Sequence, residues 1–122
     1  MTFIQSLTDI VDRIEGCAGA VILGIDGIPI ERYMPDLDPE LDLDLVATEL
    51  TTLLRHSMRV ASDAELGGMR EMMFNTDRQI FLLRPITEDY FLLLAINPGG
   101  NVGRARFELR KVQLALEAEF AI

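Results

Sequence analysis

Seven consecutive residues, Tyr90-Phe91-Leu92-Leu93-Leu94-Ala95-Ile96, read as one strand that is apolar on both faces. Successive side chains of a strand point to opposite sides of the sheet, so this segment has no face to offer to water. Such a strand belongs at the centre of a sheet covered by helices on both sides. It is far too short to span a bilayer. The rest of the chain must therefore supply flanking strands and two helical layers.

The flanking patterns do so. Phe3, Ile4, Leu7, Ile10, Val11 and Ile14 recur at spacings of three and four, which predicts an amphipathic helix. Thr2 and Gln5 have the form of a capping box at its start, and Gly16 is its stop signal. Two apolar runs, Ala18 to Ile25 and Ile28 to Tyr33, surround Asp26-Gly27. This predicts a tight hairpin with positive φ at both turn positions. Pro29 lacks a ladder donor and places the second strand at a sheet edge or bulge. Met34 to Leu41 reads as a loop. A long helix is expected from about Asp42 to Ser62, with Val46, Leu50, Leu53, Leu54, Ser57, Met58 and Ala61 as its apolar stripe. Gly67-Gly68 closes that unit. Met69 to Asn75, Gln79 to Pro85 and Tyr90 to Ile96 then form a three-strand meander. Asn101 caps a last helix from Val102 to Phe120, with Ala105, Leu109, Val112 and Leu116 on its buried side and Arg104, Arg106, Arg110 and Lys111 in solvent. Residues 1–122 read as one domain, a three-layer α/β sandwich.

Charge narrows the function classes. Twenty Asp and Glu against eleven Lys and Arg leave a net charge of −9. Such a chain repels phosphate backbones and anionic membrane surfaces, so neither nucleic-acid binding nor direct membrane insertion is expected. Asp9, Asp12 and Glu15 follow Met1 too closely for a signal peptide, and a cytoplasmic protein is expected. Cys17 is the only cysteine and His56 the only histidine. One chain therefore holds neither a disulfide nor a Cys/His zinc set, and no metal or other cofactor is expected.

Four groups invite a chemical reading. Asp36, Asp38, Glu40, Asp42 and Asp44 resemble the start of a calcium loop. Counted from Asp36, however, the positions that require Gly and Glu hold Leu41 and Ala47. Gly99-Gly100-Asn101-Val102-Gly103-Arg104 joins a strand to a helix, as phosphate-binding loops do, but lacks the spacing and the Lys of such motifs. A Cys17–His56 nucleophile pair would need an orienting third group that the spacing does not suggest. Thr48, Thr52, Arg55 and Arg59, flanked by Glu49 and His56, form a mixed polar face on the long helix, and these four are the candidate partner-binding residues. No catalytic residue is assigned, and a binding or regulatory protein is expected.

Two stretches carry a family resemblance. Ala20-Val21-Ile22-Leu23-Gly24-Ile25-Asp26-Gly27-Ile28-Pro29-Ile30 resembles the first hairpin of the Roadblock/dynein light-chain family. Asn101-Val102-Gly103-Arg104-Ala105-Arg106-Phe107-Glu108-Leu109-Arg110-Lys111 resembles its second hallmark, Asn–apolar–Gly–x–Ala–Arg–aromatic–x–Leu–Arg. The strand block from Gln79 to Ala95 fits as well. The resemblance implies a five-stranded antiparallel sheet with the two terminal helices on one face and the middle helix on the other. It also implies a homodimer in which middle helices meet and third strands pair, with Met69, Met72 and Met73 as candidate interface residues. Prokaryotic members of the MglB type act on Ras-like small GTPases of the MglA type, and other relatives are scaffold subunits. The expectation is thus a homodimeric regulator of a Ras-like GTPase; the alternative is a non-catalytic dimeric adaptor of a larger complex.

Because the acidic run lacks a complete ligand set, removing divalent ions should leave stability unchanged. Melting curves with calcium and with a chelator should superimpose; a calcium-dependent rise would reinstate the Asp36–Asp44 run as a metal site.

Overall fold

The computed structural model describes residues 3–120. Its elements are α1 (Phe3–Arg13), β1 (Cys17–Gly24), β2 (Pro29–Tyr33), α2 (Leu43–Asp63), β3 (Met72–Asn75), β4 (Ile80–Pro85), β5 (Tyr90–Ile96) and α3 (Val102–Phe120). The strands form one antiparallel sheet in the order β2-β1-β5-β4-β3. The doubly apolar strand β5 is its middle member, as its composition requires. The Thr2 half of the capping box lies outside the described residues.

Alternation along β5 divides the interior into two cores. Leu92, Leu94 and Ile96 pack with Leu7 and Ile10 of α1, Ile14 just beyond it, and Leu109 and Leu116 of α3. Phe91, Leu93 and Ala95 pack on the other side with Ala47, Leu50 and Leu54 of α2. Strand β1, buried at every position, repeats the division through Ala20 and Ile22 on one face and Val21 and Leu23 on the other. Two helices thus cover one face and a single helix the other, which is the three-layer sandwich.

Three local expectations need correction. The β1–β2 connection is not a two-residue turn. Gly27 N donates to Gly24 O and Gly24 N donates to Ile28 O, both at 2.9 Å. Only Gly27 is left-handed, with φ of 86°. This is a three-residue loop ending in a glycine bulge, stabilised by Asp26 Oδ1 accepting from Ile28 N at 3.0 Å. Second, α2 runs to Asp63, close to the expected end, but its stop is not Gly67-Gly68. Leu66 N donates to Ala61 O and Glu65 N to Ser62 O. That pair of bonds caps the helix with Glu65, not glycine, in the left-handed region at φ 57°. Third, β3 begins at Met72, so Met69 precedes the strand.

Pro29 opens β2, an edge strand, and the register of β1 against β2 shifts between Ile22 and Leu23. Gly16 and Gly100 meet so closely that a Cβ on Gly16 would stand 2.6 Å from Gly100 Cα. This contact ties the end of α1 to the entry of α3.

Leu93 is fully buried beneath α2. Truncation by Leu93→Ala should cost about 2–5 kcal/mol in denaturant unfolding. A loss below about half a kilocalorie would contradict its place in the central strand.

Candidate functional site

Helix α2 begins where Asp42 Oδ1 accepts from Leu45 N at 3.1 Å, a side-chain cap that also brings negative charge to the helix N-terminus. Its buried side comprises Ala47, Leu50, Thr51, Leu54 and Ala61. Thr51 was absent from the predicted stripe. It is tolerated because its hydroxyl donates to Ala47 O at 2.6 Å, which satisfies the donor inside the helix. Leu53, placed on that stripe by its spacing, is instead 42% exposed. A helix lying on a sheet buries a narrower arc than a heptad-like pattern suggests, and Leu53 falls on the shoulder.

The outward surface of α2 has two flanks. Thr48, Thr52, Arg55 and Arg59 are all exposed and share one of them, as their spacing predicts. Neither Arg55 nor Arg59 makes an ion pair or hydrogen bond with another described residue. The threonine hydroxyls are turned inward: Thr48 Oγ1 donates to Asp44 O at 2.9 Å and Thr52 Oγ1 to Thr48 O at 3.2 Å. They can still accept, so the guanidinium groups supply the free donors of this flank.

The other flank carries half-buried Val46 and exposed Leu53 and Val60, seven residues apart, with Glu49 and His56 between them in sequence. It faces the β3 edge, because Ser57 beside it donates to Met72 Sδ at 3.5 Å. On β3, Met72 and Phe74 lie opposite Leu83 and Phe81, which are α2-side residues, whereas Met73 lies opposite Leu82 on the other face. Met69 and Met72 are half-buried against the α2-side core, and Met73 and Phe74 are exposed. An exposed apolar strip therefore runs from α2 to the open backbone edge of β3.

Residues 3–96 match the Roadblock/LC7 domain. The chain belongs to the Roadblock/LC7 family. Among solved structures, MglC from Myxococcus xanthus is 31% identical, with 98% of this chain and 99% of that one covered and a TM-score of 0.70. A Roadblock/LC7 domain from Streptomyces avermitilis superimposes with a TM-score of 0.85 over the full length of both chains at 15% identity. The gliding protein MglB from Thermus thermophilus gives 0.82 at 16% identity, over 94% of this chain and 85% of that one. At those two identities the likeness is one of fold. Among curated protein sequences none matches.

Other candidate groups of this Roadblock domain serve its architecture. Asp38 accepts from Glu40 N at 2.9 Å and from Arg78 Nη2 at 2.8 Å, and Asp44 lies 4.0 Å from Arg32. The Glu40 amide, then Arg78, hold the Asp38 carboxyl below its usual range. In the glycine loop, Asn97 N donates to Gly16 O and Asn101 N to Glu15 O, while Asn101 Oδ1 caps α3 by accepting from Arg104 N at 2.9 Å. These amides are spent inside the fold. Among the described residues no group of three or more His, Cys, Asp or Glu side chains converges as metal ligands. No described helix is long and apolar enough to cross a membrane.

Residue type alone did not reveal one burial. Glu108 is fully buried in α3, with Arg104 at 2.9 Å and Arg13 and Lys111 at 3.8 Å. Its oxygens are held by surrounding charge and not by well-directed hydrogen bonds. The cations lean over it, and Arg104 and Lys111 also stand over the Phe107 ring.

Cys17 and His56 do not meet. Cys17 lies in the core beneath α1 and α3, whereas His56 is exposed on α2 across the sheet. Burial pushes the Cys17 thiol up to about 11 from 9.0, with a backbone hydrogen bond at Gly19 opposing the rise and the charge of Asp36 adding to it. A raised thiol stabilises the fold at pH below its unfolded value, and that contribution is lost as pH climbs through the folded one. At pH 8 the native thiol should react with a disulfide reagent at least roughly a hundredfold more slowly than in denaturant. Equal rates would mean that Cys17 is open to solvent.

Proposed function

We propose that this Roadblock domain acts as a homodimeric regulator of a Ras-like small GTPase of the MglA type. The observation that carries the proposal is the division of α2 into two outward flanks of different chemistry. The Val46–Leu53–Val60 flank and the adjoining β3 edge suit a second copy of the chain. Apolar residues seven apart pack as a helix seam, and an open strand edge is completed by pairing. Phe74 extends that surface on the α2 side and Met73 flanks the same β3 edge on the other face, while Met69 and Met72 support it from below. Thr48, Thr52, Arg55 and Arg59 lie on the opposite flank and so stay available in such a dimer.

Pairing two copies sets two α2 helices side by side and creates a broad surface that a monomer lacks. Arginine is a common anchor of such interfaces, and free guanidinium donors suit a hydrogen-bonded contact. Nucleotide and Mg²⁺ would belong to the GTPase. The regulator would act by binding one switch conformation better than another, which shifts its population. An arginine finger in trans ranks lower, because nothing places Arg55 or Arg59 beside a phosphate. A cytoplasmic setting suits this role.

Arg55→Glu with Arg59→Glu should lower GTPase affinity at least roughly tenfold in calorimetry, about 1.4 kcal/mol. The double variant should still sediment as a dimer at micromolar concentration with an unchanged melting temperature. Unchanged affinity would move the docking site elsewhere, and loss of the dimer would show that this flank is the seam. Binding without stimulated GTP hydrolysis would favour the adaptor reading.

A further inference from the structure

One cleft gathers positive charge on this acidic chain. It lies between the segment from Leu66 to Glu71 and α3, with a volume of about 1100 Å³. Arg70, Arg84, Arg106 and Arg110 line it with a single carboxylate, Glu71. Four of the chain's eleven basic residues thus face one of its twenty acids, in a molecule whose net charge is −9. The floor is braced. Arg84, whose side chain is only 12% exposed, donates from Nε to Gln113 Oε1 and lies 3.9 Å from Glu71, while Arg106 reaches Glu71 at 2.7 Å. Arg70 and Arg110 make no ion pair or hydrogen bond with another described residue.

Leucines complete the lining. Leu66, turned outward by the cap that ends α2, is 72% exposed, and Leu114, one turn beyond Arg110, is 65% exposed. We propose that this cleft binds an acidic, leucine-bearing segment of a partner protein, with carboxylates on Arg70 and Arg110 and apolar side chains on Leu66 and Leu114. A small phosphate ligand fits less well. The cleft exceeds the roughly 300–1,000 Å³ of small-molecule pockets, and a phosphate would leave both leucines bare. Nucleic acid is opposed by the charge of the molecule as a whole. A short peptide instead feels mainly the charges within a Debye length, about 8 Å at physiological salt. The cleft lies apart from the polar flank of α2, so the proposal does not depend on a GTPase being the partner.

The test is a titration of the isotope-labelled full chain, followed by NMR. The probes are a synthetic twelve-residue peptide alternating Glu and Leu, its Gln-for-Glu counterpart, and inorganic phosphate. The acidic peptide should produce saturable shifts at Arg70, Arg110 and Leu114, and these should weaken with salt. Arg70→Ser with Arg110→Ser should reduce affinity roughly tenfold or more with the melting temperature unchanged, since neither residue supports the fold. Four results would overturn the proposal: no saturable shifts, equal binding of the Gln peptide, unchanged affinity in the double variant, or phosphate displacing the peptide at equal concentration. Loss of self-association in the double variant would also overturn it, by assigning the cleft to a second copy of the chain.

Discussion

Burial of β5 on both faces is the constraint from which the other features descend. Its odd-numbered residues need one helical layer and its even-numbered residues another, so neither core can form without the strand they share. The hydrophobic gain is large on both sides: Phe91 through Ile96 are all buried, and a fully buried Leu or Phe contributes about 1.5–3 kcal/mol. Neighbours β1 and β4 inherit the same double burial over most of their length. Only the edge strands β2 and β3 are released from it.

The two layers are unequal, and that inequality produces the exposed flanks of α2. α1 and α3 share one face, whereas α2 covers the other alone. A single helix buries one arc, so α2 keeps two exposed shoulders, an apolar one toward β3 and a polar one away from it. The β3 edge, only four residues long, leaves backbone groups and apolar side chains open beside the apolar shoulder. The apolar surface proposed for self-pairing and the polar one proposed for a different partner thus come from one geometric fact.

Charge follows a second logic. Asp38 and Glu40 of the Met34–Leu41 loop pair with Arg78, Asp42 caps α2, and Asp44 in the first turn of α2 lies 4.0 Å from Arg32 on β2. The basic residues of α3 divide between two tasks. Arg104 and Lys111 neutralise buried Glu108, whose charge in an apolar interior is tolerable only with such company. Arg106 and Arg110, one turn apart on another side of the helix, point into the cleft beside Glu71 and Arg84. One run of residues therefore both surrounds a buried carboxylate and lines the cleft, according to which way each turn of the helix faces.

The sequence by itself determined the element order, the central position of β5, the edge position of β2 and the partition of Leu92, Leu93 and Leu94 between two cores. These follow from periodicity and from the backbone limits of Pro and Gly, which act over a few residues and need no knowledge of neighbours. The polar face of α2 was legible for the same reason. Only the tertiary structure decided that Leu53 is exposed, that Thr51 and Glu108 are buried, that Cys17 and His56 lie on opposite sides of the sheet, and that Arg70, Arg84, Arg106 and Arg110 line one cleft. Each of these depends on how widely one layer covers another, or on which distant segments the sheet order brings together. A pattern read along one dimension carries no term for either.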